Sequence, residues 1–316
     1  MKISAHMNHP ENSINTGESS RRFSSSTRAG AELSRTRFLR LLCGGGSLLG
    51  VAAHSSAQAT GTVRLASVVT PKEGGLYDDL LPDFEKQTGY RVELTTGEDV
   101  YGPARAGQAD IVISHYGHQE VKAFVSDGFG LWPRTVFFNQ LALLGPPDDP
   151  ARIRGVGDLL EAYRRIALSR TPYIVNDIEG LKSLGQILWN ATGRPDRSGW
   201  YFDDGLREQD AVAAAVRRGG YMLWGLTPFL TSQQTSKVNL EPVFLNDSLL
   251  QRIMVSIVVK PEKAPGVNVQ GATALQNYLL SPATQARIHN FRLPGIDGQI
   301  WWPAGRNNLA MYLPSE

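Results

Sequence analysis

The sequence predicts an α/β protein of two lobes with a ligand cleft between them. Three observations predict this fold. Strand patterns alternate with an amphipathic helix pattern from residue 62 onward, a proline-rich break falls at residues 146–150, and a late strand and helix at residues 253–280 read as a return to the first sheet. A chain of 316 residues, 41% hydrophobic and 20% charged, exceeds an average domain and suits two cores. In open α/β sheets binding groups gather on the loops at strand ends, so this pattern points to a binder of something small.

The first sixty residues are of another kind. Residues 1–35 are rich in Ser, Asn and Arg without apolar periodicity and are expected to be disordered or removed. A basic stretch at residues 34–40, an apolar run at 41–53 and Ala57-Gln58-Ala59 follow in the order of an export signal, with cleavage expected after Ala59. The basic stretch is twin-arginine-like but has Thr36 at the second arginine position, which leaves the twin-arginine and general secretory routes both open; either ends in the periplasm. An uncleaved anchor is the rival reading. Cys43, the single cysteine, follows Leu41-Leu42 rather than a small residue, so lipidation is not expected, and cleavage leaves no thiol for disulfides, nucleophiles or thiolate metal sites.

In the remaining chain, residues 63–69 read as a mostly apolar strand, and Leu76, Leu80, Leu81 and Phe84 fall at helical spacing before Gly89. Strands at 90–95 and 111–114, a helix near 120–126 and a strand near 136–145 complete a unit whose natural solution is a parallel sheet with crossover helices. Beyond the break, a helix pattern at 156–168 and strands near 173–175 and 221–224 open a second unit. The expected division is a leader at 1–59, lobe one at 60–145 and 246–316, and lobe two at 146–245. Two chain crossings join such lobes, so the cleft can close on a ligand like a hinge.

Several functions are excluded on composition and motif. Net charge is only +2 and the arginines are scattered without interleaved aromatics, which argues against nucleic-acid binding. Neither a Gly-x-Ser-x-Gly elbow nor a phosphate-binding glycine loop with its lysine occurs. Asp148-Asp149 and Asp203-Asp204 are adjacent acids in predicted turns, and His115 and His118 lack an evident third metal ligand. We expect no enzyme activity, no cofactor, no metal and a monomer.

The order of short motifs is more specific. Leu65-Ala66-Ser67-Val68-Val69-Thr70, Leu80-Leu81-Pro82-Asp83-Phe84-Glu85-Lys86-Gln87-Thr88-Gly89-Tyr90, Ala109-Asp110-Ile111-Val112, Gly128-Phe129-Gly130 and Gly145-Pro146-Pro147-Asp148-Asp149-Pro150 occur in sequence. Leu188-Trp189-Asn190-Ala191-Thr192-Gly193, Gly199-Trp200-Tyr201, Pro265-Gly266-Val267-Asn268, and Ser281-Pro282 through Phe291-Arg292 follow. Together they resemble the periplasmic tungstate-binding proteins of ABC importers over about residues 62–303. The resemblance implies a two-lobed type II periplasmic-binding-protein-like fold, each lobe a mostly parallel sheet flanked by helices. It also implies a non-catalytic role: capture of a small solute, such as the oxyanions tungstate or molybdate, for an ABC permease.

The pocket motifs depart from that family. Its Thr-Thr-Thr-Ser run stands here as Ser67-Val68-Val69-Thr70; its Ser-Arg-Gly-Asp-x-Ser-Gly-Thr signature falls near residues 174–180, without arginine and with Glu179 near the second serine; its Thr-Asp-Arg segment corresponds to Trp224-Gly225-Leu226. A hydrogen bond to a charged group is worth about 1.5–3 kcal/mol, so each lost donor matters. The candidate ligand-binding residues are Ser67, Thr70, Asn139, Asp177, Glu179 and Trp224, with the amides near Gly74-Gly75-Leu76 and the charge of Lys72 as further anion contacts. Glu73, Asp177 and Glu179 instead favour a cationic or amine ligand if they face the cleft, and the alternative role is a sensor or accessory module that has lost transport. Plainer readings make Ser67 and Thr70 helix caps, Asp177 and Glu179 solvated first-turn acids, Trp224 a core residue and Asn139 a hinge residue.

Overall fold

The computed structural model describes residues 61–305. The chain runs through β1 (Gly61–Ser67), α1 (Thr70–Glu73), α2 (Leu76–Thr88), β2 (Tyr90–Thr96), α3 (Tyr101–Arg105), β3 (Ile111–His115), α4 (Gln119–Ser126) and the long β4 (Arg134–Gly145). It continues with α5 (Leu159–Ser169), β5 (Tyr173–Ile174), α6 (Glu179–Ala191), β6 (Tyr201–Phe202), α7 (Glu208–Arg218), β7 (Tyr221–Gly225), α8 (Leu226–Gln233) and β8 (Glu241–Phe244). The last described elements are β9 (Gln251–Val258), α9 (Val269–Leu280), α10 (Pro282–Asn290) and β10 (Trp302–Pro303). The leader, its export signal and the cleavage expected after Ala59 lie outside the described residues.

The two-residue period of the strands builds two layers around the first sheet. Val63, Leu65, Ile111 and Ile113 join Leu80 and Phe84 of α2 and Leu275 of α9 in one core. Ala66, Val112, Val255 and Ile257 face Tyr101 and Phe124 in another. Both faces are covered, which is why these strands read as nearly continuous apolar runs. Helix α2 stops at Gly89, whose φ of 79° is left-handed and whose N–H donates to the Glu85 carbonyl at 2.8 Å.

The first sheet is mixed rather than purely parallel. β1 pairs in parallel with β2 and β3, but β9 inserts between β3 and β4 and runs antiparallel to both. The returning strand arrives from the second lobe, so its direction is reversed relative to strands that begin in the first. In the second sheet β5 pairs in parallel with β6 and β7, while β4 runs antiparallel to β7 and β8. Its core packs Tyr163, Trp189 and Trp200 beneath α5 and α6.

β4 belongs to both sheets. Up to Gln140 it pairs with β9, and from Leu141 it pairs with β7. This change of partner carries the chain from the first sheet to the second, ahead of the proline-rich stretch at 146–150.

Asp110, fully buried at the start of β3, fastens the returning C-terminal segment to the first lobe. Its carboxylate accepts the backbone N–H of Arg64 at 2.7 Å and of Asn268 at 2.8 Å, and pairs with the Arg64 guanidinium. Removing it leaves donors from two segments, Arg64 of β1 and Asn268 before α9, without their acceptor. Asp110→Ala is expected to lower the unfolding free energy by about 3–5 kcal/mol in a denaturant titration, from two backbone hydrogen bonds to a charged group at about 1.5–3 kcal/mol each; a loss below about 1 kcal/mol would show that water replaces the carboxylate.

Candidate functional site

A cavity of about 520 Å³ opens between the two sheets, within the size range of small-molecule sites. Val69, Thr70 and Glu73 from the β1–α1 turn, His115 at the end of β3, Asn139 and Leu141 of β4, and Arg252 of β9 line it. From the opposite side come Ile178 and Leu181 at the start of α6, Glu208 and Gln209 at the start of α7, Trp224 and Gly225 at the end of β7, and Pro228 and Thr231 of α8. These walls are strand ends and helix starts, where open α/β sheets hold ligands. Side chains also meet across the opening: Gln119 Nε2 donates to Glu179 Oε1 at 2.7 Å, and Arg207 Nη2 to Glu98 Oε1 at 2.9 Å.

The six sequence-predicted residues fall in different places. Thr70, Asn139 and Trp224 line the cavity, and Trp224 also packs edge-on against Phe229 with ring centroids 6.3 Å apart. Ser67 does not line it; the residue is fully buried and its hydroxyl lies 2.6 Å from that of Tyr77. Burial pushes the Tyr77 phenol well above its ordinary range, and the bond to Ser67 opposes that shift. Neither Ser67 nor Thr70 caps α1, whose N-cap is Val69. Asp177 accepts a hydrogen bond from Lys182 Nζ at 2.9 Å, and Glu179 is the exposed first residue of α6, turned toward Gln119. Lys72 pairs with Asp78, and Gly74 is pressed against Thr227 and Trp301, whose Nε1 donates to the Gly74 carbonyl at 3.1 Å.

Sequence reasoning passes over Arg252 and treats His115 only as half of a metal pair. Arg252 stands opposite Asn139 in the β4–β9 ladder. Burial depresses its guanidinium, and among the described residues its side chain has no hydrogen-bond or ion-pair partner. His115 is held down to about 3, by burial first and then by the charges of Arg252 and His118, so its imidazole is neutral. His118 is engaged elsewhere, capping α4 by accepting from the Glu120 N–H at 3.2 Å. Asn139 is 3% exposed, and both its Oδ1 and the His115 Nδ1 are buried without partners among the described residues. The available signal for Arg252 was its place just before an apolar strand, which alone does not distinguish a strand edge from a cavity wall.

Two α/β lobes joined by crossing strands around a solute-sized cleft define a type II periplasmic-binding-protein fold. The chain belongs to the bacterial extracellular solute-binding protein family, whose model matches residues 67–291. It is 30% identical over 252 residues, 78% of this chain and 72% of the relative, to a Haloferax volcanii protein provisionally described as an ABC transporter anion-binding protein. It is 27% identical to the tungstate-binding protein TupA of Peptoclostridium acidaminophilum over 74% of this chain and 82% of that one. Among solved structures, the tungstate-binding protein TupA from Desulfovibrio alaskensis G20 is similar with a TM-score of 0.69 at 26% identity, covering 78% of this chain and 99% of that one.

Ser67 separates a structural from a ligand-binding role. Ser67→Ala leaves the buried Tyr77 hydroxyl without this partner and is expected to cost about 1–3 kcal/mol of stability. Calorimetric titration should then show ligand affinity unchanged, whereas a fall in affinity would move Ser67 to the ligand.

Proposed function

We propose that this chain is a periplasmic solute-binding protein that captures a small oxyanion, such as tungstate or molybdate, and hands it to the permease of an ABC importer. The observation that carries the reading is the cavity itself, walled by both lobes and bridged at its opening by Gln119–Glu179 and Arg207–Glu98. Lobes joined by two strands open and close about that joint, and a permease can distinguish the two states. The anion-binding and tungstate-binding descriptions of the relatives support the oxyanion, and the signal-like leader supports export. In this reading one lobe is residues 60–145 with 246–316 and the other residues 146–245, acting in a monomer. Thr70, Asn139 and Trp224 are the sequence-predicted residues positioned to meet the ligand.

One observation favours a second reading. Glu73 and Glu208 line the cavity and are exposed, an arrangement that suits a cation or amine and a sensing rather than a transport role. A thermal-shift series decides between them. A ligand that binds only the folded state at about 100 times its Kd adds about 2.7 kcal/mol of stability. The expected outcome is a rise in Tm with tungstate or molybdate and none with small amines or divalent cations. A rise with amines or cations alone would sink the oxyanion reading.

A further inference from the structure

We infer that Arg252, carried by the crossing strand β9, is the residue that binds an anion in this cleft, and that Asn139 and His115 complete its seat. The inference rests on the cleft being the solute site and adds the group that gives it its charge preference.

Arg252 is the only lysine or arginine lining the cavity among the described residues. Other arginines are neutralised: Arg64, Arg105, Arg154 and Arg287 each hold a carboxylate. Arg252 holds none, although desolvation depresses it. A charge partly removed from water without a counter-ion carries a desolvation cost that a transient counter-ion in the cleft would offset. Positioned opposite Asn139 across the ladder, Arg252 shares a wall with two further unsatisfied groups, Asn139 Oδ1 and His115 Nδ1. The amide of Asn139 can turn to present its N–H₂, and the neutral imidazole can donate one N–H. An oxyanion at this point receives a guanidinium and two neutral donors.

The second lobe contributes room for the guanidinium. Its Nη atoms lie 3.1 and 3.2 Å from where a Cβ on Gly180 would stand, in the first turn of α6. A side chain at 180 would require the guanidinium to shift by a few tenths of an ångström from its present position. Glycine there lets an arginine from the joint reach the opposite lobe, so an anion held by Arg252 touches both sides of the cleft.

The full-length protein and its variants would be titrated calorimetrically with sodium tungstate, sodium sulfate and sodium succinate, which distinguishes inorganic oxyanions from carboxylates. The wild-type protein is expected to bind at least one of them, and Arg252→Met to lose roughly 10- to 150-fold in affinity, the worth of one hydrogen bond to a charged group. Without anion, Arg252→Met should melt no lower than the wild type, because it removes an unpaired charge. Gly180→Ala should also weaken binding while leaving the melting temperature unchanged or higher, and it carries the test alone if Arg252→Met does not fold. Wild-type affinity in Arg252→Met, or in Gly180→Ala where that variant stands alone, overturns the assignment of Arg252 and leaves the solute-binding reading intact. Failure of the wild type to bind any of the three anions overturns the anion reading of the cleft and this assignment together.

Discussion

The rest of the structure depends on the antiparallel pairing of β4 with β9 where the chain passes between the lobes. β4 exchanges β9 for β7 between Gln140 and Leu141, so one continuous strand serves two sheets. A backbone ladder tolerates few unpaired donors, and the exchange lets each half of β4 stay paired while the sheets diverge. The same crossing places Asn139 and Arg252 opposite one another at the floor of the cavity. Joint and cavity floor are thus made from the same residues.

This geometry explains why the cleft has its polar groups where it does. Parallel strands bring β1, β3 and β7 to their ends at the cavity, and the helices that follow begin there. Val69 and Thr70 enter from one side, Ile178 and Glu208 from the other. Asp110 holds the first lobe together behind this face, binding β1 to the loop that leads into α9. With the C-terminal segment fastened in that way, β10 can pair with β4 at Phe137 and Phe138, close to the crossing.

Local pattern made the main scaffold readable. The helical spacing of Leu76, Leu80, Leu81 and Phe84 and the glycine stop at Gly89 recur in α2 as expected, and the strand pattern at 136–145 recurs within β4. The two-residue strands β5 and β6 and the helices α6 and α7 were harder to delimit, because short strands carry almost no periodicity and α7 buries mainly alanines. The site was readable only in part. Thr70 and Trp224 sit near strand ends, which local pattern can mark, and Asn139 lies mid-strand in β4, where the chain passes between the sheets. Ser67 shows the limit: a serine ending a strand looks the same whether it meets a ligand or, as here, a buried tyrosine. Arg252 depends on cross-strand register with a residue more than a hundred positions earlier, and no local pattern encodes that.

Counting carboxylates in the sequence points to a cationic ligand, and their placement reverses the balance. Asp177 is engaged by Lys182 and Glu179 by Gln119, so two of the three acids considered from sequence have partners. Glu73 and Glu208 do line the cavity, but they are exposed, where water screens them. Two unit charges 4 Å apart interact by about 1 kcal/mol in water and about 4 kcal/mol at the effective dielectric near a protein surface. The partly buried Arg252 guanidinium lies nearer the second regime and the exposed rim acids nearer the first. In the proposed reading the partly buried guanidinium, with no carboxylate beside it among the described residues, therefore outweighs the two exposed acids for a ligand that reaches the floor.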